Sequence, residues 1–86
     1  MEIIFTGRFE QAYEKLSRSE KESVQKALSL LESNLKYPSL HIKKLECIRD
    51  VWEARPSKRL RLTFQMEGET IIVRNAGEHD RVMRRP

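Results

Sequence analysis

The stretch LRLTFQM, residues 60–66, alternates without interruption: Leu60, Leu62, Phe64 and Met66 fall on one side, Arg61, Thr63 and Gln65 on the other. A period of two is what a strand imposes, and a helix would scatter the same residues round its axis. TIIVRNAG (70–77) is a second β-rich run, and Glu67-Gly68-Glu69 between them supplies the glycine of a hairpin turn. VWEAR (51–55) also alternates and is cut off by Pro56-Ser57-Lys58, so three antiparallel strands follow one another as a meander. Such a sheet has an apolar face that something must cover.

The first half supplies the cover. EIIF (2–5) reads as a short strand ending at Thr6-Gly7. Phe9, Ala12, Tyr13 and Leu16 then recur at helical spacing, with Thr6 as N-cap. Ser17 with Glu20 and Ser19 with Glu22 offer two overlapping capping boxes for a second helix, and the pattern does not choose between them. That helix carries Val24, Ala27, Leu28, Leu31 and Leu35 on one face, with Glu22 and Lys26 spaced to pair on the other. Asn34 suits a left-handed cap and Pro38 forbids continuation. Residues 39–50 read as a basic connection anchored by Leu40, Ile42 and Leu45. The expected class is α+β in the order β-α-α-β-β-β, a helical hairpin on one face of a small, mainly antiparallel sheet, with the other face partly open.

An 86-residue chain is expected to form one domain over residues 1–86. With 35% charged residues of both signs, it reads as globular and soluble. No apolar run approaches a membrane span and MEIIFTGR does not resemble a signal peptide, so a cytoplasmic protein is expected, without a membrane partner. Cys47 is the single cysteine, which rules out an internal disulfide. Two dispersed histidines and one cysteine offer no metal-ligand spacing.

The net charge is +4, and the cations crowd into the second half. Lys43, Lys44, Lys58, Arg59, Arg81, Arg84 and Arg85 could be solubilising charge, but their clustering better suits a footprint for a polyanion such as RNA. Arg61 should project from the open sheet face, with Glu53 and Arg55 on the neighbouring strand. His79 follows the last strand, and histidine is the side chain that exchanges a proton near neutrality. Asp80 reads as the N-cap of a last turn, Trp52 as a core residue and His41 as structural.

The order of these elements, the VWEAR…RLRLTF strand pair and the NAGEHD ending together resemble the RelE/ParE superfamily of type II toxin-antitoxin toxins, over essentially the whole chain. The resemblance implies an mRNA interferase, many of which act on ribosome-bound message, neutralised by a cognate antitoxin. Such cleavage needs no metal or other cofactor: the ribose 2′-hydroxyl attacks the adjacent phosphorus and the 5′-oxygen leaves. It requires a proton acceptor, a proton donor and cations facing the phosphorane-like transition state.

Carried over by position, Arg61 falls on the strand arginine that meets the scissile phosphate, and its fork suits two phosphate oxygens. Arg55 and Glu53 fall where charged groups stand on the neighbouring strand, and His79 falls on the active-site histidine of YafQ-like members. Lys43 lies near a loop position from which other members contribute a catalytic side chain. No Tyr or Phe follows Phe64, so base stacking from the C-terminal end is not expected. The same resemblance admits a ParE-like poison of DNA gyrase without nuclease activity, or a degenerate toxin that only binds its antitoxin; fold does not decide among the three.

Overall fold

The computed structural model describes residues 2–34 and 38–86. Strand β1 (Glu2–Phe5) leads through Thr6 into helix α1 (Gly7–Glu14), and a short turn precedes α2 (Arg18–Ser33). A 3-10 turn at Pro38–Leu40 is followed by β2 (Lys43–Lys44), β3 (Trp52–Ala54), β4 (Leu60–Glu67), β5 (Thr70–Glu78) and α3 (His79–Arg84). The strands form one sheet in the order β1-β5-β4-β3-β2. β3, β4 and β5 are the expected antiparallel meander, whereas β1 lies parallel to β5 at the far edge.

The caps explain where the helices begin. The Thr6 hydroxyl accepts from the Phe9 amide and has its single proton within reach of the carbonyl oxygens of both Val73 and Arg74, so one side chain starts α1 and ties it to β5. Of the two capping boxes, Ser17 with Glu20 forms: Ser17 accepts from the Glu20 amide at 3.2 Å and Glu20 from the Ser17 amide at 2.8 Å. Two expectations change. Asn34 ends α2 in an extended conformation, not a left-handed one, and Glu22 pairs with Arg18 one turn before it, not with Lys26. The expected core position Leu35 lies outside the described residues.

Leu60, Leu62 and Phe64 of β4 pack with Ile71, Val73 and Ala76 of β5 and Ala54 of β3 against Phe9, Leu16, Val24, Ala27 and Leu31 from the helical half. Leu40 and Leu45 are buried as expected, and Trp52 leans half-buried against the same core. Met66, the last member of the alternating row, is exposed, although its register partner Ile71 is buried in the core. Gly68, with φ near 59°, takes the first of the two turn positions between Glu67 and Thr70, where a primed turn requires a positive φ.

The register of β4 and β5 slips once. Thr63 pairs with Asn75 and Phe64 with Val73, leaving Arg74 as an extra residue in β5. The face expected to be partly open is in fact covered over its middle. Val82 of α3 and Pro86 are buried there, and the Asn75 amide donates to the Arg85 carbonyl at 2.9 Å. The Pro86 main-chain oxygen accepts from Arg8 Nη2 at 3.2 Å, Arg74 Nε at 3.1 Å and Thr63 Oγ1 at 3.4 Å. A sheet face carrying Thr63 and Asn75 closes readily because the incoming backbone satisfies their polar atoms.

Candidate functional site

Lys43, Glu53 and Arg61 come from three successive strands and meet at one oxygen. Lys43 pairs with Glu53 in the β2–β3 register, and Glu53 pairs with Thr63, two residues from Arg61 on β4. Glu53 Oε1 lies 3.6 Å from Lys43 Nζ and 4.0 Å from Arg61 Nε. The Glu53 side chain is 5% exposed and that of Arg61 is 11%, while Lys43 stands in solvent. Burial of the acid and the guanidinium together is tolerable only because each faces opposite charge. Two cations against one carboxylate leave the group with a net positive charge.

Arg61 is held from behind. Its Nη1 donates to the carbonyl oxygens of Lys58 at 3.1 Å and Leu60 at 2.9 Å, fixing the fork against the loop between β3 and β4. Its Nε is buried and has no hydrogen-bond acceptor among the described residues. The sequence row that placed Arg61 opposite Leu62 is right about its face, but the residue is enclosed where an open surface was expected.

His79 begins α3, directly after the pair Leu60–Glu78, and its amide donates to the Arg59 carbonyl at 3.0 Å. The ring is half exposed, with Nδ1 3.0 Å from Asp80 Oδ1. Asp80 is therefore a partner of His79 inside the first turn; the N-cap is Glu78, whose side chain makes no capping bond. Arg81 folds back over Gly77, the register partner of Arg61, and its Nη2 donates to the Ala76 carbonyl at 3.2 Å. Arg61, His79 and Arg55 thus stand round the 55–59 loop, Arg61 tied to its Lys58 carbonyl and His79 to its Arg59 carbonyl.

Arg55 does not join the Glu53 group. Strand β3 ends at Ala54, the Arg55 amide donates to the Leu40 carbonyl at 2.8 Å, and the side chain enters a hollow of about 310 Å³ with Ser39, His41, Pro56, Ser57 and Lys58. Of the other basic residues, Lys44 lies over the Trp52 ring at 6.0 Å. Arg81 and Arg84 line a hollow with Lys15 and with the carboxylates of Glu20, Glu78 and Asp80, a mixed-charge surface and not a purely basic one. The structure also gathers cations that no local pattern announced. Arg8 and Arg74 meet at Pro86, and burial, with Arg74 and Arg85 close by, holds the Arg8 guanidinium below its ordinary value. Arg74 and Pro86 lie far along the chain from Arg8, Pro86 by 78 residues, so only the parallel β1–β5 pairing could reveal them as its neighbours.

No protein-family model and no curated protein matches this chain. Solved structures do. YafQ from E. coli strain BL21(DE3) superposes with a TM-score of 0.81 at 15% identity, over 94% of this chain and 96% of that one. The chain has the RelE-like toxin fold. The toxin-antitoxin complex RelB-RelE of Methanococcus jannaschii gives 0.78 at 16% identity, over 94% and 95%. The intact E. coli RelBE complex gives 0.71 at 20%, over 91% and 95%. The α+β class expected for this RelE-like fold is the one observed, and the additions to it are the two-residue β2 and the short α3. No described helix is long and apolar enough to cross a membrane.

Proposed function

We propose that this chain is the toxin of a type II toxin-antitoxin system and an endoribonuclease that cleaves mRNA. The observation that carries the reading is the Lys43–Glu53–Arg61 group, a net-cationic, partly desolvated cluster, with the half-exposed His79 following the neighbouring strand β5, on a fold shared with RelE and YafQ. In the proposed reaction Arg61 and Lys43 stabilise charge on the non-bridging oxygens as the 2′-oxygen attacks phosphorus. The 2′-hydroxyl proton leaves to a base and the 5′-oxygen departs with a proton from an acid, giving a 2′,3′-cyclic phosphate and a 5′-hydroxyl. His79 handles one of these protons. With Asp80 at Nδ1, Nε2 is the nitrogen that exchanges it. Glu53 is the second candidate for proton transfer, and Arg55, across the loop, contacts the substrate backbone instead of the scissile phosphate.

The partner in this reading is a cognate antitoxin, as RelB and DinJ are for the toxins in the solved complexes. The ribosome supplies the message. Inducible expression in a bacterial host with mapping of RNA 5′ ends tests the activity: codon-phased cuts are expected. Double-strand DNA damage and inhibited gyrase supercoiling without RNA cuts would replace this reading by the gyrase poison, and inertness in both assays by the antitoxin-binding remnant.

A further inference from the structure

The hollow between the 38–42 segment and the loop after β3 has no part in the cluster around Glu53. Its lining is Ser39, His41, Arg55, Pro56, Ser57 and Lys58: two cations, an imidazole and two hydroxyls, with no acid among them. Arg55 is only partly exposed, yet neither its guanidinium nor the side chains of His41 and Lys58 form a hydrogen bond or ion pair with any described residue. A half-buried guanidinium without an internal acceptor is ready for an external one. The backbone is set for the same purpose. His41 is held at φ near 47°, in the left-handed region, by its amide bond to the Pro38 carbonyl, and the Arg55 amide closes on the Leu40 carbonyl. At about 310 Å³ the hollow is at the small end of ligand pockets, the size for one phosphorylated unit.

We propose that this hollow is a phosphate subsite for single-stranded RNA, in which Arg55, Lys58 and His41 hold a phosphodiester neighbouring the one to be cut. The inference rests on the nuclease reading for its ligand. It makes Arg55 a backbone anchor and gives His41 a role that its sequence context did not suggest. Arg61 donates to the carbonyl of Lys58, so a phosphate seated here also braces the loop that orients Arg61.

The test is titration of the full chain with a 2′-O-methyl RNA trinucleotide, which cannot be cleaved, read by the NMR signals of the two histidine rings and by fluorescence anisotropy. The His41 ring signals should shift, and Arg55→Gln should weaken binding about tenfold. His41→Asn, which tolerates the left-handed backbone, should weaken it several-fold while the fold is retained. Shifts at His79 with His41 silent overturn the subsite and leave the nuclease reading standing. Shifts at neither ring overturn the subsite outright. A His41 response to inorganic phosphate but not to the trinucleotide overturns it as an RNA site. If His41 responds to RNA while no cuts appear in cells, the subsite holds and the nuclease reading falls.

Discussion

Arg81 occupies the space that a side chain on Gly77 would need: a β-carbon there would overlap Arg81 Nη2. Gly77 has φ near 151°, outside the range that other residues favour, and sits opposite Arg61 in the ladder. The glycine, the folded-back arginine and the start of α3 are one packing unit. Gly77→Ala should therefore cost about 1–3 kcal/mol in urea unfolding, chiefly through the backbone, since the arginine tip can move. Adding Arg81→Ala should recover only the small part due to the clash.

The pairing of Glu53 with Arg61 makes a second prediction. Arg61→Ala removes the buried cation and leaves Glu53 with the exposed Lys43 alone, so a loss of about 3 kcal/mol is expected. Arg61→Ala combined with Glu53→Gln should unfold at a higher urea concentration than Arg61→Ala alone. Equal midpoints would show that the two groups are not coupled.

His79 should behave oppositely. Its ring is half exposed and, among the described residues, pairs only with its neighbour Asp80, so His79→Ala should change stability by less than about 0.5 kcal/mol. Cleavage in a purified translation reaction should nevertheless fall about 10²–10⁴-fold, and growth arrest on expression should be relieved. Undiminished cleavage would remove the imidazole from the mechanism.

Two caps of similar chemistry should differ in worth. Ser17→Ala deletes one half of a surface capping box, about 1 kcal/mol. Thr6→Ala also cuts the hydroxyl's shared bond to the Val73 and Arg74 carbonyls, which holds α1 and β1 to β5, so about 2 kcal/mol is expected. Thermal unfolding of the two variants side by side gives the order.

RNA binding should also weaken steeply with salt, but with fewer phosphate contacts than a count of basic residues suggests. Arg81 and Arg84 share their hollow with three carboxylates, and Lys44 is drawn to Trp52. Charge reversal at Lys58 should lower the slope of log affinity against log salt more than reversal at Arg84, measured by anisotropy at several ionic strengths.

Local chemistry alone determined the alternating row from Leu60 to Phe64, the Gly68 turn, the Thr6 cap and the apolar faces of α1 and α2, and it narrowed the start of α2 to two capping boxes, between which the structure chose Ser17. Each depends on residues a few positions apart, and a period of two or of 3.6 is visible at that range. The tertiary structure alone decided the parallel pairing of β1 with β5, the slip at Arg74, and the closure of the second sheet face by α3 and Pro86. It also decided that Arg61 is enclosed with Glu53 while Arg55 turns away to His41. Charged side chains carry no mark of their surroundings in a sequence: whether a guanidinium meets water, a carboxylate or a carbonyl depends on which distant strand lies beside it.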